Sequence, residues 1–354
     1  MFIRPSPALT SSIAQAARST LRSQAAPIRG YATEAGKNGG GSQSNLPLVL
    51  GLGGLGGLAA WYSLGGFDDP KKASNKIQET GQSAINKATE TVQGGALNKD
   101  AFTEFTLKEV KPYNHDSATY IFELPDGKKP GMSVASAVVF KAVGEGLKDD
   151  KGKDVIRPYT PVSSPDTAGH IDFLIKRYEN GKMTNYVHSM KPGDKIAIKG
   201  PIAKFPYKAN EFEHIGLVAG GSGITPMWQI IQQIASDPSD KTKATLIYAN
   251  KSEKDILLRE EFDKLAAKDP RFKVVYGVDQ KPKDFDGFEG YVTSGILGHH
   301  LPLPGLANKA KVFVCGPPGQ VEAICGGKGP KGSQGELKGL LADLGYQPDQ
   351  VYKF

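Results

Sequence analysis

The sequence predicts an antiparallel β-barrel followed by a parallel α/β layer. Three observations carry that prediction. Residues 102–199 hold short runs of alternating apolar residues separated by Gly/Pro turns. From residue 214 onward, apolar strand-like runs alternate with helical patterns, which implies a parallel sheet wrapped by helices. Residues 1–98 show neither pattern and belong to neither half.

Within the first half, Phe102, Phe105 and Leu107 alternate with polar residues, and residues 118–124 run apolar up to the turn Pro125-Asp126-Gly127. Further strands are predicted over 136–143, 170–175 and 195–199. Turn signals at Pro130-Gly131, Glu179-Asn180-Gly181 and Pro192-Gly193-Asp194 separate them. The barrel, placed at residues 99–209, ends after Gly200-Pro201. In the second half, residues 210–354, strands are expected over 214–219, 245–249, 272–278 and 311–315. Helices are expected over 226–235, 255–268, 320–324 and 336–344. The first of these has Met227, Ile230, Ile231 and Ile234 on one face. His299-His300, beside Pro302 and Pro304, reads as a loop, and 326–335 reads as a Gly/Lys-rich surface insertion.

The front of the chain is for addressing. Residues 1–33 carry four Arg and no acid, with Ser and Ala abundant, which is the composition of a mitochondrial presequence. They supply over half of the formal net charge of +7. The rest is only mildly basic, and no basic stripe interleaved with aromatics points to nucleic acid. Residues 46–64 form an uncharged Leu/Gly-rich run ending near Trp61-Tyr62. That is about the roughly 20 residues a bilayer span needs, so a single transmembrane anchor is expected. Residues 66–98 are polar, with an amphipathic stretch over 77–92, and read as a spacer. Cys315 and Cys325 form no metal-binding or disulfide pattern, and no metal site is expected.

Four segments carry chemistry. Arg157-Pro158-Tyr159-Thr160 offers a guanidinium fork for a pyrophosphate, an aromatic face and a hydroxyl donor, the groups a flavin dinucleotide needs. Taken alone, the tetrapeptide reads more simply as strand and turn. Gly181-Lys182-Met183-Thr184 opens a helix, whose first N–H groups bind phosphate, although an ordinary helix start looks the same. Gly220 to Pro226 (GGSGITP) lies between a predicted strand and helix, with Thr225 as expected N-cap and Pro226 at the first helical position. Gly221 and Gly223 allow close approach of a pyrophosphate, but Pro226 replaces the last glycine of the G-x-G-x-x-G fingerprint. Cys315-Gly316-Pro317-Pro318 makes a sharp turn after a strand at the same nucleotide-facing edge. Cys315 has no His or carboxylate beside it in sequence and is not expected to be a nucleophile.

In this order the four segments resemble the ferredoxin-reductase-like flavoenzymes, and within them the NADH–cytochrome b5 reductase family in its fungal mitochondrial form. The resemblance runs from about residue 102 to 354, including the aromatic ending Tyr352-Lys353-Phe354. It implies an FAD-binding barrel and an NADH-binding domain. Arg157, Pro158, Tyr159 and Thr160 are then FAD ligands, with Thr160 near flavin N5. Gly181, Lys182, Met183 and Thr184 take its phosphate side. Gly221, Gly223, Thr225 and Pro226 line the NADH site, with Cys315, Gly316 and Pro317 beside the nicotinamide. Lys176 sits between the cofactors, and Thr160, Lys176, Thr225 and Cys315 are the residues nearest the reaction. Asp255 is implied to select NADH over NADPH, because a carboxylate accepts from a ribose 2′-OH and repels a 2′-phosphate.

The implied activity is hydride transfer from NADH to FAD, then single electrons to cytochrome b5 or a similar haem protein. Lys148, Lys151, Lys153 and Lys204 offer a basic face for such a partner. A monomer, anchored in mitochondria at the outer membrane or facing the intermembrane space, is expected. The rival readings are a flavin reductase serving a quinone or an iron–sulfur protein, and a silent membrane-anchored scaffold.

Overall fold

The computed structural model describes residues 94–144 and 146–354. The expected presequence (1–33), anchor (46–64) and nearly all of the spacer lie outside the described residues. Among the described residues no helix is long and apolar enough to cross a membrane.

The first half comprises β1 (Thr103–Pro112), β2 (Ser117–Glu123), β3 (Ser136–Ala142), β4 (Ile156–Tyr159), β5 (His170–Lys176), α1 (Lys182–Ser189) and β6 (Lys195–Ala203). The strands form one antiparallel sheet in the order β4-β3-β6-β1-β2-β5. Alternation decides which face is buried. Phe105 and Leu107 on β1, and Ile171, Phe173 and Ile175 on β5, point into one core closed by Met183 and Val187 of α1. The Phe140 ring of β3 lies 4.6 Å from Tyr159 on β4 and 4.7 Å from Phe173 on β5. Both edges of the sheet therefore wrap the same core. No ladder joins β4 to β5 among the described residues, so the expected barrel is a rolled sheet with an open seam.

The second half comprises β7 (His214–Gly220), α2 (Ile224–Ser236), β8 (Lys243–Asn250), α3 (Arg259–Lys268), β9 (Phe272–Val278), β10 (Phe288–Glu289), α4 (Ser294–His300), β11 (Ala310–Cys315), α5 (Pro318–Cys325), α6 (Gly339–Asp343) and β12 (Val351–Lys353). All pairings are parallel, in the order β10-β9-β8-β7-β11-β12. The chain winds from β7 outward to β10, then returns to lay β11 on the other flank of β7. The order reverses between β7 and β11, and crevices for nucleotides open at the carboxyl ends of strands at such a point.

Four readings change. The helix after β7 starts at Ile224 with Gly223 in the capping position. Thr225 does not cap it, because its hydroxyl donates back to Ser222 O at 3.3 Å. The helix expected over 255–268 is broken. Asp255 Oδ2 accepts from Ser252 N–H (3.1 Å) and Oγ (2.6 Å), which closes a single 3₁₀ turn, and Leu258 at φ 59° separates it from α3. His299 and His300 end α4, a helix capped by Thr293, and are not in a loop. The last expected helix shrinks to Gly339–Asp343 because Lys338 is extended, its N–H donating to Cys325 O at 3.2 Å, and Gly339 sits at φ 65°.

The two halves meet through α2. The Gln229 side chain is buried, accepts from Ser136 N–H and donates to Pro161 O, both at 3.1 Å. Trp228 Nε1 donates to Val162 O at 3.1 Å. A buried amide with both ends paired is costly to strip of partners, so this contact fixes how the halves sit.

Candidate functional site

Two adjoining cavities open where the halves meet, of about 1050 and 590 Å³. Lys176, Tyr178, Gly220 and Pro317 line both. Every cofactor-site residue expected from the sequence faces one of them, whereas Lys148, Lys151 and Lys153 line neither. Of the cofactor-site residues, Gly221 and Asp255 face the smaller cavity, and the rest face the larger one.

The larger cavity is built mainly from β4, α1 and the turn after β11. Pairing of β4 with β3 sets Arg157 opposite Phe140 and Tyr159 opposite Val138. Among the described residues, the exposed Arg157 guanidinium donates only to the neighbouring Ile156 O, at 2.8 Å, and keeps most of its donors for a ligand. Burial pushes the Tyr159 hydroxyl well above its ordinary range, so the ring remains neutral. Gly181 precedes α1 so closely that an added Cβ would sit 2.3 Å from Thr184 Oγ1. Lys182 pairs with the exposed Asp150. An arginine fork, an aromatic wall and a helix start in one cavity fit a flavin dinucleotide.

At the strand switch point, an added Cβ on Gly223 would lie 2.4 Å from Cys315 O, and one on Gly220 would lie 2.0 Å from Gln320 Oε1. These glycines let the turns after β7 and β11 touch. Gly221, at φ 51°, has open space above it, which suits close approach of a phosphate. Burial pushes the Cys315 thiol up to about 11, as expected for a wall residue and not a nucleophile.

The smaller cavity holds groups that sequence reading missed. Asn250, at the end of β8, is 7% exposed, and neither polar atom of its amide has a partner among the described residues. Gln320 Nε2 is likewise unpaired. Buried polar atoms without partners are costly, and here both residues line an open cavity. Asp279, one residue beyond β9, lines it too, with a carboxylate that bonds to nothing among the described residues. Asn250 and Asp279 lie at the carboxyl ends of neighbouring strands and Gln320 early in α5, a placement that only the aligned sheet reveals. These features fit a nicotinamide dinucleotide.

Lys176 stands at the junction. Its ammonium bonds Asp116, in the β1–β2 turn, and Asp255 Oδ1 (2.8 Å) across the interface. Burial works against this ammonium, but the two carboxylates outweigh it and raise its pKa. Burial alone would raise Asp255, yet the bonds from Lys176 and Ser252 hold it below the usual carboxylate range. His115 Nε2 lies 3.5 Å from Asp116 and 3.6 Å from Asp255. Nearby, Asn114 Nδ2 donates to Lys254 O (2.9 Å), and Leu258 N–H donates to the Tyr113 hydroxyl (2.7 Å). The β1–β2 turn thus grips the 253–258 segment.

Comparison with known proteins decides the family. Residues 104–207 match the oxidoreductase FAD-binding domain, and residues 217–326 match the oxidoreductase NAD-binding domain. A Mycosarcoma maydis protein named NADH-cytochrome b5 reductase 2 is 74% identical over all 354 residues, covering 100% of both chains. The chain belongs to the NADH–cytochrome b5 reductase family. A Neurospora crassa protein of the same name is 41% identical, covering 95% of this chain and 98% of that one. Among solved structures, the cytochrome b5 reductase domain of Ulva prolifera nitrate reductase aligns with a TM-score of 0.64 and 28% identity, over 73% of this chain and 99% of that one. The chain is an oxidoreductase with an FAD-binding and an NAD-binding domain, arranged in the ferredoxin-reductase-like fold.

Proposed function

We propose that the chain passes reducing equivalents from NADH through FAD to a haem protein, cytochrome b5, while anchored to a mitochondrial membrane by residues 46–64. The observation that carries this reading is the pair of adjoining cavities meeting at Lys176, the larger suited to the flavin with the nicotinamide against Cys315, the smaller to the rest of the pyridine nucleotide. When bound, FAD supplies the exchange between a two-electron hydride, accepted at N5, and electrons released singly.

The chain's own residues hold and orient. Arg157 and the start of α1, with Lys182, Met183 and Thr184, grip the flavin phosphates, and Tyr159 packs on the ring system. Thr160 would stand near flavin N5, with a hydroxyl able to donate. Gly221 and Gly223 take the pyridine nucleotide phosphates, and Thr225, Pro226, Cys315, Gly316 and Pro317 wall in the nicotinamide. Direct hydride transfer needs close packing and dryness more than an acid or a base, and these residues offer neither acid nor base. Asp279 and the free side of Asp255 Oδ1 accept from the ribose hydroxyls, and their charge excludes a 2′-phosphate. Lys151, Lys153 and Lys204, which form no ion pairs among the described residues, face the acceptor. Lys148 is tied to Asp154.

The test is anaerobic mixing of the purified chain with NADH and oxidised cytochrome b5. Growth of the reduced-haem bands, absent when either reagent is omitted, is expected. Rapid NADH oxidation by ferricyanide with no haem reduction would point to a quinone or iron–sulfur acceptor instead.

A further inference from the structure

The segment 326–335 is largely exposed, as expected of a surface insertion, and its Lys328 also lines the larger cavity. Its glycines let it close on itself. An added Cβ on Gly335, at φ 64°, would sit 2.6 Å from Gly327 O, and one on Gly326 would sit 2.9 Å from Glu336 O. The loop is fastened to the last strand by Lys353. That side chain is 2% exposed, and its ammonium donates to Gly327 O (3.1 Å) and Glu336 O (2.8 Å), one carbonyl near each end of the loop. No carboxylate pairs with it among the described residues. Gln334 adds a second fastening, accepting from Lys353 N–H at 2.6 Å and donating to Lys353 O at 3.0 Å.

Two groups reach the cavity through this fastening. Lys328, from the loop, and Phe354, next to Lys353, both line it near Cys315, in the part of the larger cavity assigned above to the nicotinamide. Phe354 N–H donates to Val314 O at 3.0 Å, and its ring stacks on Phe313. Lys328 remains exposed at the rim of the cavity, where partial burial and the nearby Lys204 lower its pKa. A buried cation bonded only to carbonyls is a poor stabiliser of the fold, and one that joins both ends of a loop restricts that loop's geometry.

We propose that Lys353 is a positioning residue: by clamping both ends of 326–335 it holds Lys328 and Phe354 as the wall of the cavity beside Cys315, and so shapes the seat of the pyridine nucleotide. This rests on the two-nucleotide reading above. Without the clamp the loop loosens, and the nucleotide must order it on binding, which weakens affinity.

The experiment compares the full chain with Lys353→Met, which keeps the aliphatic stem. Three quantities are read: bound flavin by absorbance, hydrogen–deuterium exchange over 326–336, and NAD⁺ affinity by calorimetry. Flavin content should match the unaltered chain. Exchange over 326–336 should rise, and NAD⁺ affinity should fall about tenfold, which is 1.4 kcal/mol. KM for NADH should rise while kcat changes little. Unchanged exchange, or raised exchange with unchanged affinity, would overturn the inference. If Lys353→Met does not fold, Gly335→Ala disturbs the same loop without touching the ammonium and should shift exchange and affinity in the same directions. An unaltered chain that binds no NAD⁺ would instead defeat the two-nucleotide reading itself.

Discussion

The Asp116–Lys176–Asp255 cluster makes a prediction whose sign differs from a simple count of ion pairs. One ammonium sits between two carboxylates, one from each half, with side-chain exposures of 12% for Lys176, 23% for Asp116 and 11% for Asp255. Removing one carboxylate leaves a neutral, matched pair. Removing both leaves a largely buried ammonium with no counter-charge. Gross attraction at 4 Å is about 4 kcal/mol at the effective dielectric of a protein surface, and desolvation cancels much of it. Asp116→Asn should therefore cost about 0.5 kcal/mol. Asp255→Asn should cost about 1.5 kcal/mol, because Asp255 also accepts from Ser252 N–H and Oγ. The double variant should cost about 3.5 kcal/mol, leaving about 1.5 kcal/mol of coupling. Thermal unfolding of the four proteins at one pH and salt concentration measures the cycle. Additivity within about 0.5 kcal/mol would refute the claim that Lys176 is shared between the halves. The sign with pH follows from the shifts. Asp255 is lowered, so its contribution is present above the unfolded carboxylate pKa and is lost as pH falls through the folded value. Lys176 is raised, so its contribution is present below the unfolded lysine pKa and is lost as pH rises through the folded value.

Three further predictions concern the cavities. Arg157→Ala should lower flavin retention through purification, with little change in Tm, since among the described residues the exposed guanidinium bonds only to Ile156 O; full flavin content would remove it from the phosphate grip. Asp279→Asn should narrow the preference for NADH over NADPH more than Asp255→Thr, which should also lower Tm. An unaltered NADH/NADPH ratio in Asp279→Asn would take that carboxylate off the ribose. Cys315→Ala should retain turnover, and alkylation of the native thiol between pH 6 and 9 should be slow, because the thiol stays protonated up to about 11; fast alkylation would mean an exposed thiolate.

Much of this was legible in the sequence, for physical reasons that also mark where reading stops. Residues 272–278 were bounded correctly as a strand because a buried parallel strand is a continuous apolar run ending at a turn. The β10 and β12 strands are two and three residues long, too short for any period to show. The break at Leu258 depends on one carboxylate, Asp255, bonding the Ser252 backbone and hydroxyl, and a helical pattern does not reveal that competition. Of the site, the glycine turns and Arg157-Pro158-Tyr159-Thr160 carry local signatures. Asn250, Asp279 and Gln320 carry none, because they gain meaning only when β7, β8, β9 and β11 align their carboxyl ends. The segment 326–335 is largely exposed, as the sequence suggests, but its fastening was not legible, since its partner, Lys353, lies in a strand that the sequence does not announce.

The visible absorption spectrum of purified residues 94–354, recorded anaerobically before and after one equivalent of NADH and, in parallel, of NADPH, tests the central claim most directly. The account predicts a flavin spectrum that NADH bleaches quickly and NADPH slowly. A colourless protein that gains no flavin spectrum on adding FAD, or a flavin that NADH leaves unbleached, would contradict it.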